Sequence, residues 1–251
     1  VTRPVISGTD DLKDAYRDDN VAREYVGRRF ETPLGSLLHR SQIAVLRRLL
    51  AEHRLEHVAE IAPGPARVTV DVAPLVSRVT VLDASAQMLG EARRRLAARE
   101  LHQRVGLVQA DAFHLPLRPG FDLIYSFRLI RHFDRDDRIR LYRQAARVLK
   151  PGGFLVFDAV NAVVSASLRA ESPSEYEHFD ALLLPDGIRE ELQAAGFTDV
   201  SLQGVQHHYR TLLKCQIYLA PRSDAIARLA MRLVDRLGGE PLEWVVSCRR
   251  G

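Results

Sequence analysis

The chain has 251 residues, 46% of them hydrophobic and 27% charged, with a net charge of +4; this is an ordinary globular composition, enough for one α/β domain with a full core plus a small elaboration. No apolar run approaches the roughly 18–20 residues of a membrane span, and the opening VTRPVISGTDDLKDAYRDDN lacks the basic and apolar regions of a signal peptide. Cys215 and Cys248, the only cysteines, make neither a disulfide framework nor a zinc site, so a cytoplasmic protein is expected.

Lys13, Lys150 and Lys214 are the only lysines, so the basic residues are nearly all arginine. Arginine grips carboxylate or phosphate in a fixed fork, which leaves room for an acidic substrate. The basic residues are interleaved with acids, so nucleic acid is not favoured as a partner.

In chain order, residues 1–20 read as a loose arm and Asn20 to Phe30 as helical. Gly35 to Ala51 places Leu37, Leu38, Val45, Leu46, Leu49 and Leu50 at helical spacing. HVAEIA (57–62) is a short apolar run ended by Pro-Gly-Pro, hence a buried strand and a sharp turn. RVTVDVAPLV (67–76) reads as a helix despite its valines. Strands follow at 78–85, 104–111, 121–127 and 153–160, with amphipathic helices at 86–100 and 135–150. Such alternation predicts a parallel sheet with helices on both faces. In the tail, 187–197 and 224–239 read as helices and 198–210 and 241–250 as strands. The last helix carries Ile226, Leu229, Ala230, Leu233, Val234 and Leu237 in one broad stripe. Packing against the sheet is its default reading and a homodimer contact the alternative, so the chain is expected to be a monomer or homodimer.

In an open α/β sheet, ligands bind beyond the carboxyl ends of the strands. Glu60-Ile61-Ala62-Pro63-Gly64-Pro65-Ala66 forms the first such end, and small residues there let a ligand approach the backbone. Asp83 ends the second strand, where an acid can accept both hydroxyls of a ribose; this much also fits a dinucleotide fold. Asp111-Ala112-Phe113 ends the third strand, and Arg128 to Phe133 lie beyond the fourth.

The segments AEIAPGPAR, VTVLDASAQML, VQADAFHLPL, FDLIYSFRLIRHF and VLKPGGFLVFD, spread over about residues 57–160, resemble the class I S-adenosylmethionine-dependent methyltransferases of the type 11 group. The resemblance implies a doubly wound, mostly parallel, Rossmann-like sheet of seven strands with an antiparallel edge strand. It implies a helical arm or lid over residues 1–52, a methyltransferase domain over 53–251, and a loop-like, lid-suited insertion at about 161–186. It implies S-adenosylmethionine as cofactor and S-adenosylhomocysteine as product. Glu60, Ala62 and Gly64 would lie under the methionine portion, and Asp83 would hold the ribose, with Ala84 and Met88 beside it. Asp111 and Ala112 would bracket the adenine, with Phe113 near its face. Ser126 and Phe127 would line the methionine end through their backbone, and Tyr25 or Arg29 would close over the site. The family's first turn usually carries three glycines; here Ala62 and Ala66 take the first and third places and only Gly64 remains.

His132 is the candidate general base, since imidazole titrates near neutrality; the alternative is a histidine packing at a helix start. Arg128 and Arg131 are candidates to hold an acidic substrate, or else surface arginines. One of His207 and His208 enters the active-site mouth or neither does, because strand neighbours point to opposite faces. Asp122 is read as fixing a strand end. His53 and His57 have i, i+4 spacing but no third ligand, so no metal is expected. Tyr16, Tyr25 and Tyr176 are assigned to lid segments. The expected activity is methyl transfer to a small, acidic or phenolic molecule. The alternatives are methylation of RNA or protein, or cofactor binding without transfer.

Overall fold

A computed structural model describes residues 30–171 and 180–251. Tyr16, Tyr25, Arg29 and Tyr176, and with them the first 29 residues of the arm or lid expected over residues 1–52, lie outside the described residues. No described helix is long and apolar enough to cross a membrane.

The elements alternate as expected. Helix α1 (Pro33–His53) precedes β1 (His57–Ile61), the short α2 (Thr69–Val72), β2 (Arg78–Asp83), α3 (Ala86–Ala97), β3 (Val105–Gln109) and β4 (Phe121–Ser126). Then come α4 (Arg135–Val148), β5 (Leu149–Asn161), α5 (Ala162–Glu171), the two-residue β6 (Leu182–Leu183), α6 (Pro185–Ala194) and β7 (Phe197–His207). The chain ends with α7 (Tyr209–Lys214), α8 (Asp224–Asp235) and β8 (Pro241–Arg250). The sheet order is β3-β2-β1-β4-β5-β8-β7, with β6 beside β5. Every pairing is parallel except those of β8, which runs antiparallel to both β5 and β7. The antiparallel strand expected at the edge is therefore the chain's last strand, set one place in, with β7 outermost.

Both faces of the sheet are buried, so the strands read as nearly continuous apolar runs. Val58, Val79, Val81, Leu123 and Tyr125 face Leu46 and Leu49 of α1 and Ala92 and Leu96 of α3. Ala59, Ile61, Ile124, Leu155 and Phe157 face Leu141 and Tyr142 of α4 and Ile188 and Leu192 of α6. Helix α1, grouped by sequence with a lid, is thus part of the core layer. Its start is set by Thr32, whose Oγ1 accepts from the Gly35 amide at 3.1 Å, with Pro33 next.

Capping also fixes the helices behind the strand ends. Ser85 Oγ accepts from the Met88 amide at 3.2 Å, and an Asp134 carboxylate oxygen from Asp137 at 2.9 Å. Three local readings need correction. The 67–76 helix is one short turn that tightens to a 3-10 turn at Ala73–Leu75, because its valines and Pro74 resist a longer helix. The insertion at 161–186, read as loop-like and helix-poor at its centre, opens with the ten-residue helix α5, and its centre lies outside the described residues. The strand read as ending at Arg210 stops at His207. His208 is left-handed, with φ 52°, and Tyr209 begins α7.

Candidate functional site

The carboxyl ends of β1 to β4 open into a solvent-open cleft of about 840 Å³, its mouth included. Its walls are mostly apolar, with Ile61, Leu82, Met88, Phe113, Phe127 and Phe133 among them. The polar groups are few: Asp83, Ser85, Asp111, Arg128 and His132. This is the usual chemistry of a small-molecule site, where apolar area supplies affinity and a few polar groups fix orientation.

The turn after β1 is unusual. Ala62, Gly64 and Ala66 all have positive φ, at 54°, 54° and 58°. The alanines therefore occupy the left-handed conformation that glycine adopts freely, at a cost of about 1 kcal/mol each. Pro63 and Pro65 carry no N–H. The remaining amides are used internally. Ala62 donates to Leu82 O at 2.7 Å, Gly64 to Asp83 Oδ2 at 3.1 Å and Ala66 to Pro63 O at 3.1 Å. The turn is thus a rigid shelf rather than a cradle of free amides, and it offers nothing to a pyrophosphate, which needs such donors. That argues against the dinucleotide reading. Replacing Ala62 with glycine relieves the strain but adds unfolded-chain entropy of about 0.4–1 kcal/mol. We expect Ala62→Gly to stabilise the fold by about 0.5 kcal/mol, read as a higher urea midpoint; a lower midpoint would show that the turn is not strained.

Asp83 sits where the sequence puts it. Its Oδ2 accepts from Gly64 and its Oδ1 from Ser85 at 2.9 Å. A carboxylate has about four lone-pair sites, and the backbone donors, Ala84 among them, leave part of that capacity for a hydroxyl-bearing ligand. Burial lifts its pKa to about 6, against the lowering effect of the backbone donors. Asp111 accepts from the Phe113 amide at 3.0 Å, which turns the Phe113 ring into the cleft and edge-on to Phe133 at 5.1 Å. Ala62, Gly64, Ala84, Met88, Ala112 and Phe127 also line the cleft.

Two expected cofactor residues do not. Glu60 is 3% exposed and faces the other side of the sheet, where Thr69 Oγ1 donates to it at 2.5 Å and Tyr125 Oη at 2.9 Å. Burial raises its pKa to about 7, although both hydroxyls pull it down. It braces β1, α2 and β4 from behind the turn. Ser126 is buried and donates from Oγ to Ile61 O at 2.7 Å, tying the ends of β1 and β4 together.

A second cavity, of about 1100 Å³, adjoins the first and shares Arg128 with it. It is lined by the start of α1 (Leu34, Leu38), by Ser165 and Arg169 of α5, by Asp180, and by Gln206, Tyr209 and Glu243. Its charges are compensated. Arg131 is 3% exposed and lies between Asp158 at 3.2 Å and Glu243 at 2.8 Å. Burial alone would lower this guanidinium, but Glu243, Asp158 and Asp180 hold it above its ordinary value. Arg131 is therefore a wall residue committed to two carboxylates, not a surface arginine. Arg128 has φ 69°; its amide donates to Asp158 Oδ1 at 2.7 Å and its Nη1 to Glu243 at 3.1 Å. Strain at a non-glycine residue between two cavities is typical of a functional position held by its surroundings.

His132 lines the cleft, and its Nδ1 faces Asp180 at 3.7 Å. Arg169 holds the other oxygen of Asp180 at 2.7 Å. His207 is instead bound by Asp235 at 3.1 Å, and His208 caps α7, so neither lines either cavity; Tyr209 does. Asp122 sits at the opposite end of the sheet, accepting from the amides of Glu56 and His57 and from Lys150, as a strand-end fixer does. His53 stacks on Phe154 at 4.6 Å.

Sequence reasoning missed Asp158, Asp180, Arg169, Gln206 and Glu243. The available signal was a charge inside an apolar strand, in FLVFDAV for Asp158 and PLEWVV for Glu243. Such a charge is kept buried only with a partner.

A family model described as a methyltransferase domain matches residues 58–153. The chain is 32% identical over 211 residues to a malonyl-[acyl-carrier protein] O-methyltransferase of Enterobacter lignolyticus, covering 82% of this chain and 73% of that protein. It is 30% identical over 173 residues to the protein of the same name from Methylococcus capsulatus, covering 64% of this chain and 62% of that one. The chain thus spans less than two thirds of that second relative. The solved structure of a phosphoethanolamine N-methyltransferase 2 from Haemonchus contortus shares the fold, with a TM-score of 0.68 at 21% identity, over 98% of this chain and 60% of that one.

Proposed function

The chain belongs to the class I S-adenosylmethionine-dependent methyltransferases, and from that premise we propose that it transfers a methyl group to a small acidic or phenolic molecule held in the second cavity. The observation that carries this reading is the junction of the two cavities at Arg128, with His132 on the cleft wall beside it.

The cleft fits the cofactor. Asp83 has acceptor capacity for the ribose, Met88, Ala112 and Phe113 supply apolar surface for the adenine, and the Ala62–Ala66 shelf admits a ligand close to the backbone. When bound, the cofactor supplies an electrophilic methyl on a sulfonium. The chain's own task is then to align the acceptor and exclude water. Leu34, Leu38 and Leu242 provide the apolar wall, and Arg128, Gln206 and Tyr209 the polar contacts. His132 takes the acceptor's proton where the nucleophile is a phenol, with Asp180 steadying the ring. A carboxylate needs no base.

The charge balance supports a small acceptor over RNA. Asp158, Asp180 and Glu243 offset Arg131 and Arg169, so the second cavity itself carries little net basic charge for a polyanion. The names of the two malonyl-[acyl-carrier protein] relatives support an oxygen nucleophile on an acid.

The test is S-adenosylhomocysteine release across a panel of carboxylic and phenolic acceptors. For a phenolic acceptor, His132→Ala is expected to lower kcat about a hundredfold and to leave cofactor affinity unchanged. Full turnover in that variant would remove His132 from the reaction. Turnover with no small acceptor, beside intact cofactor binding, would return the choice to a macromolecular acceptor or a non-transferring binder.

A further inference from the structure

Helix α8 does not bury the stripe that its sequence presents. Ala227 and Met231 are fully buried, Met231 against Leu37 of α1 and Leu212 of α7. Ile226, Leu229, Leu233 and Leu237, at i, i+3, i+7 and i+11, are 60%, 56%, 56% and 76% exposed. Ile217 and Tyr218, in the turn before the helix, are exposed as well. Six of the nine exposed large hydrophobic side chains among the described residues therefore fall within residues 217–237. Scattered exposed leucines need no explanation, but a contiguous apolar stripe marks an interaction surface.

The stripe has a basic flank. Arg228, Arg232 and Arg236 recur at four-residue steps along one side of it. Arg40 of α1 stands beside them; burial, then repulsion from Arg232 and Arg228, pushes its guanidinium below the ordinary value. The acids of the helix are committed elsewhere: Asp224 to Arg228 and Asp235 to His207. Among the described residues, Arg232 bonds the backbone of its own helix, from Nε to Arg228 O at 3.3 Å.

We propose that this face docks on an anionic lipid surface. Helix α8 lies in the plane of the interface, its aliphatic stripe enters the boundary between headgroups and acyl chains, and Arg40, Arg232 and Arg236 meet the lipid phosphates. Three features select lipid. The helical part of the stripe, Ile226 to Leu233, runs about 10 Å along the helix and is aliphatic, Leu237 follows just past its end, and Tyr218 beside it suits the headgroup level. The flanking arginines are long enough to spread sideways to the headgroup level. A second copy would gather both sets of arginines around one seam without acids to meet them. The face also adjoins the second cavity, because Gln216, next to Ile217, accepts from the amide of Leu34 on the cavity wall at 3.1 Å.

The experiment is flotation of the protein with vesicles of phosphatidylcholine alone or mixed with phosphatidylglycerol. Binding is expected to the anionic vesicles and not to the neutral ones, and to weaken with added salt. Leu229→Ser with Leu233→Ser should lower partitioning more than about tenfold. Arg232→Gln and Arg236→Gln should each lower it about fivefold. These side chains are exposed, so an unchanged Tm and cofactor affinity would certify the fold. No binding to anionic vesicles, or equal binding by the leucine variant, would overturn the proposal. So would a dimer that the leucine substitutions dissociate, or binding to an acidic polypeptide such as polyglutamate, in protein that ignores vesicles.

Discussion

Asp83→Ala should weaken S-adenosylmethionine binding about a thousandfold while leaving Tm within a few degrees of the parent. The estimate takes two hydrogen bonds to a charged acceptor at about 2 kcal/mol each. The fold survives because the Gly64 and Ser85 amides, which donate to Asp83, lie at the cleft and can turn to water. A pH signature separates this role from a structural one. The ligand-free carboxyl has its pKa raised to about 6, and only its ionised form accepts from both hydroxyls. Binding must then release a proton below that value. Affinity should hold at pH 7.5 and fall about tenfold at pH 5, where roughly nine-tenths of the carboxyl is protonated. Asp83→Asn should bind weakly and show no such slope. Calorimetric titration at the two pH values measures both, and unchanged affinity in either variant would remove Asp83 from the site.

Arg138→Ala should destabilise the fold by about 3–5 kcal/mol, a large share of a typical domain's stability. Arg138 of α4 and Glu191 of α6 are 5% and 3% exposed and form a bidentate pair at 2.5 and 2.9 Å. Arg138 also donates to Phe133 O at 2.7 Å, next to His132. Burial alone would lower its pKa, but Glu191 holds it above the ordinary value. Removing the guanidinium strands a buried carboxylate with no counter-charge. Replacing both residues, as Arg138→Met with Glu191→Leu, removes the charge with its partner and should recover most of the loss. Denaturant unfolding of the three proteins forms the test. A single variant within about 1 kcal/mol of the parent would mean that water reaches Glu191 and the pair contributes little.

The strand-end cleft was largely legible in the residues, and the second cavity was not. Asp83, Asp111 and Phe113 are set by their positions at strand ends, which the strand–helix alternation locates without any knowledge of packing. Glu60 shares that location and still faces away from the cleft. Which side a strand-end residue takes depends on pleat phase, and both faces of this sheet are apolar, so the pattern does not reveal it. The second cavity draws on residues from 30 to 243. No local spacing announces such a set.

What the sequence determined by itself was the order of elements and the strand-end cleft, because each depends on periodicity and turn chemistry within about twenty residues; the family followed from the resemblance of five segments in order. The tertiary structure decided the rest. It set β8 between β5 and β7, turned Arg131 inward onto Asp158 and Glu243, and brought Asp180 to His132. It also left Ile226, Leu229, Leu233 and Leu237 exposed, because it is Met231 and Val234 of α8 that pack against Leu37 of α1 and Leu212 of α7, with Ala227 buried beside them. Helical periodicity names the apolar positions of a helix; only the elements packed around it decide which of them are covered.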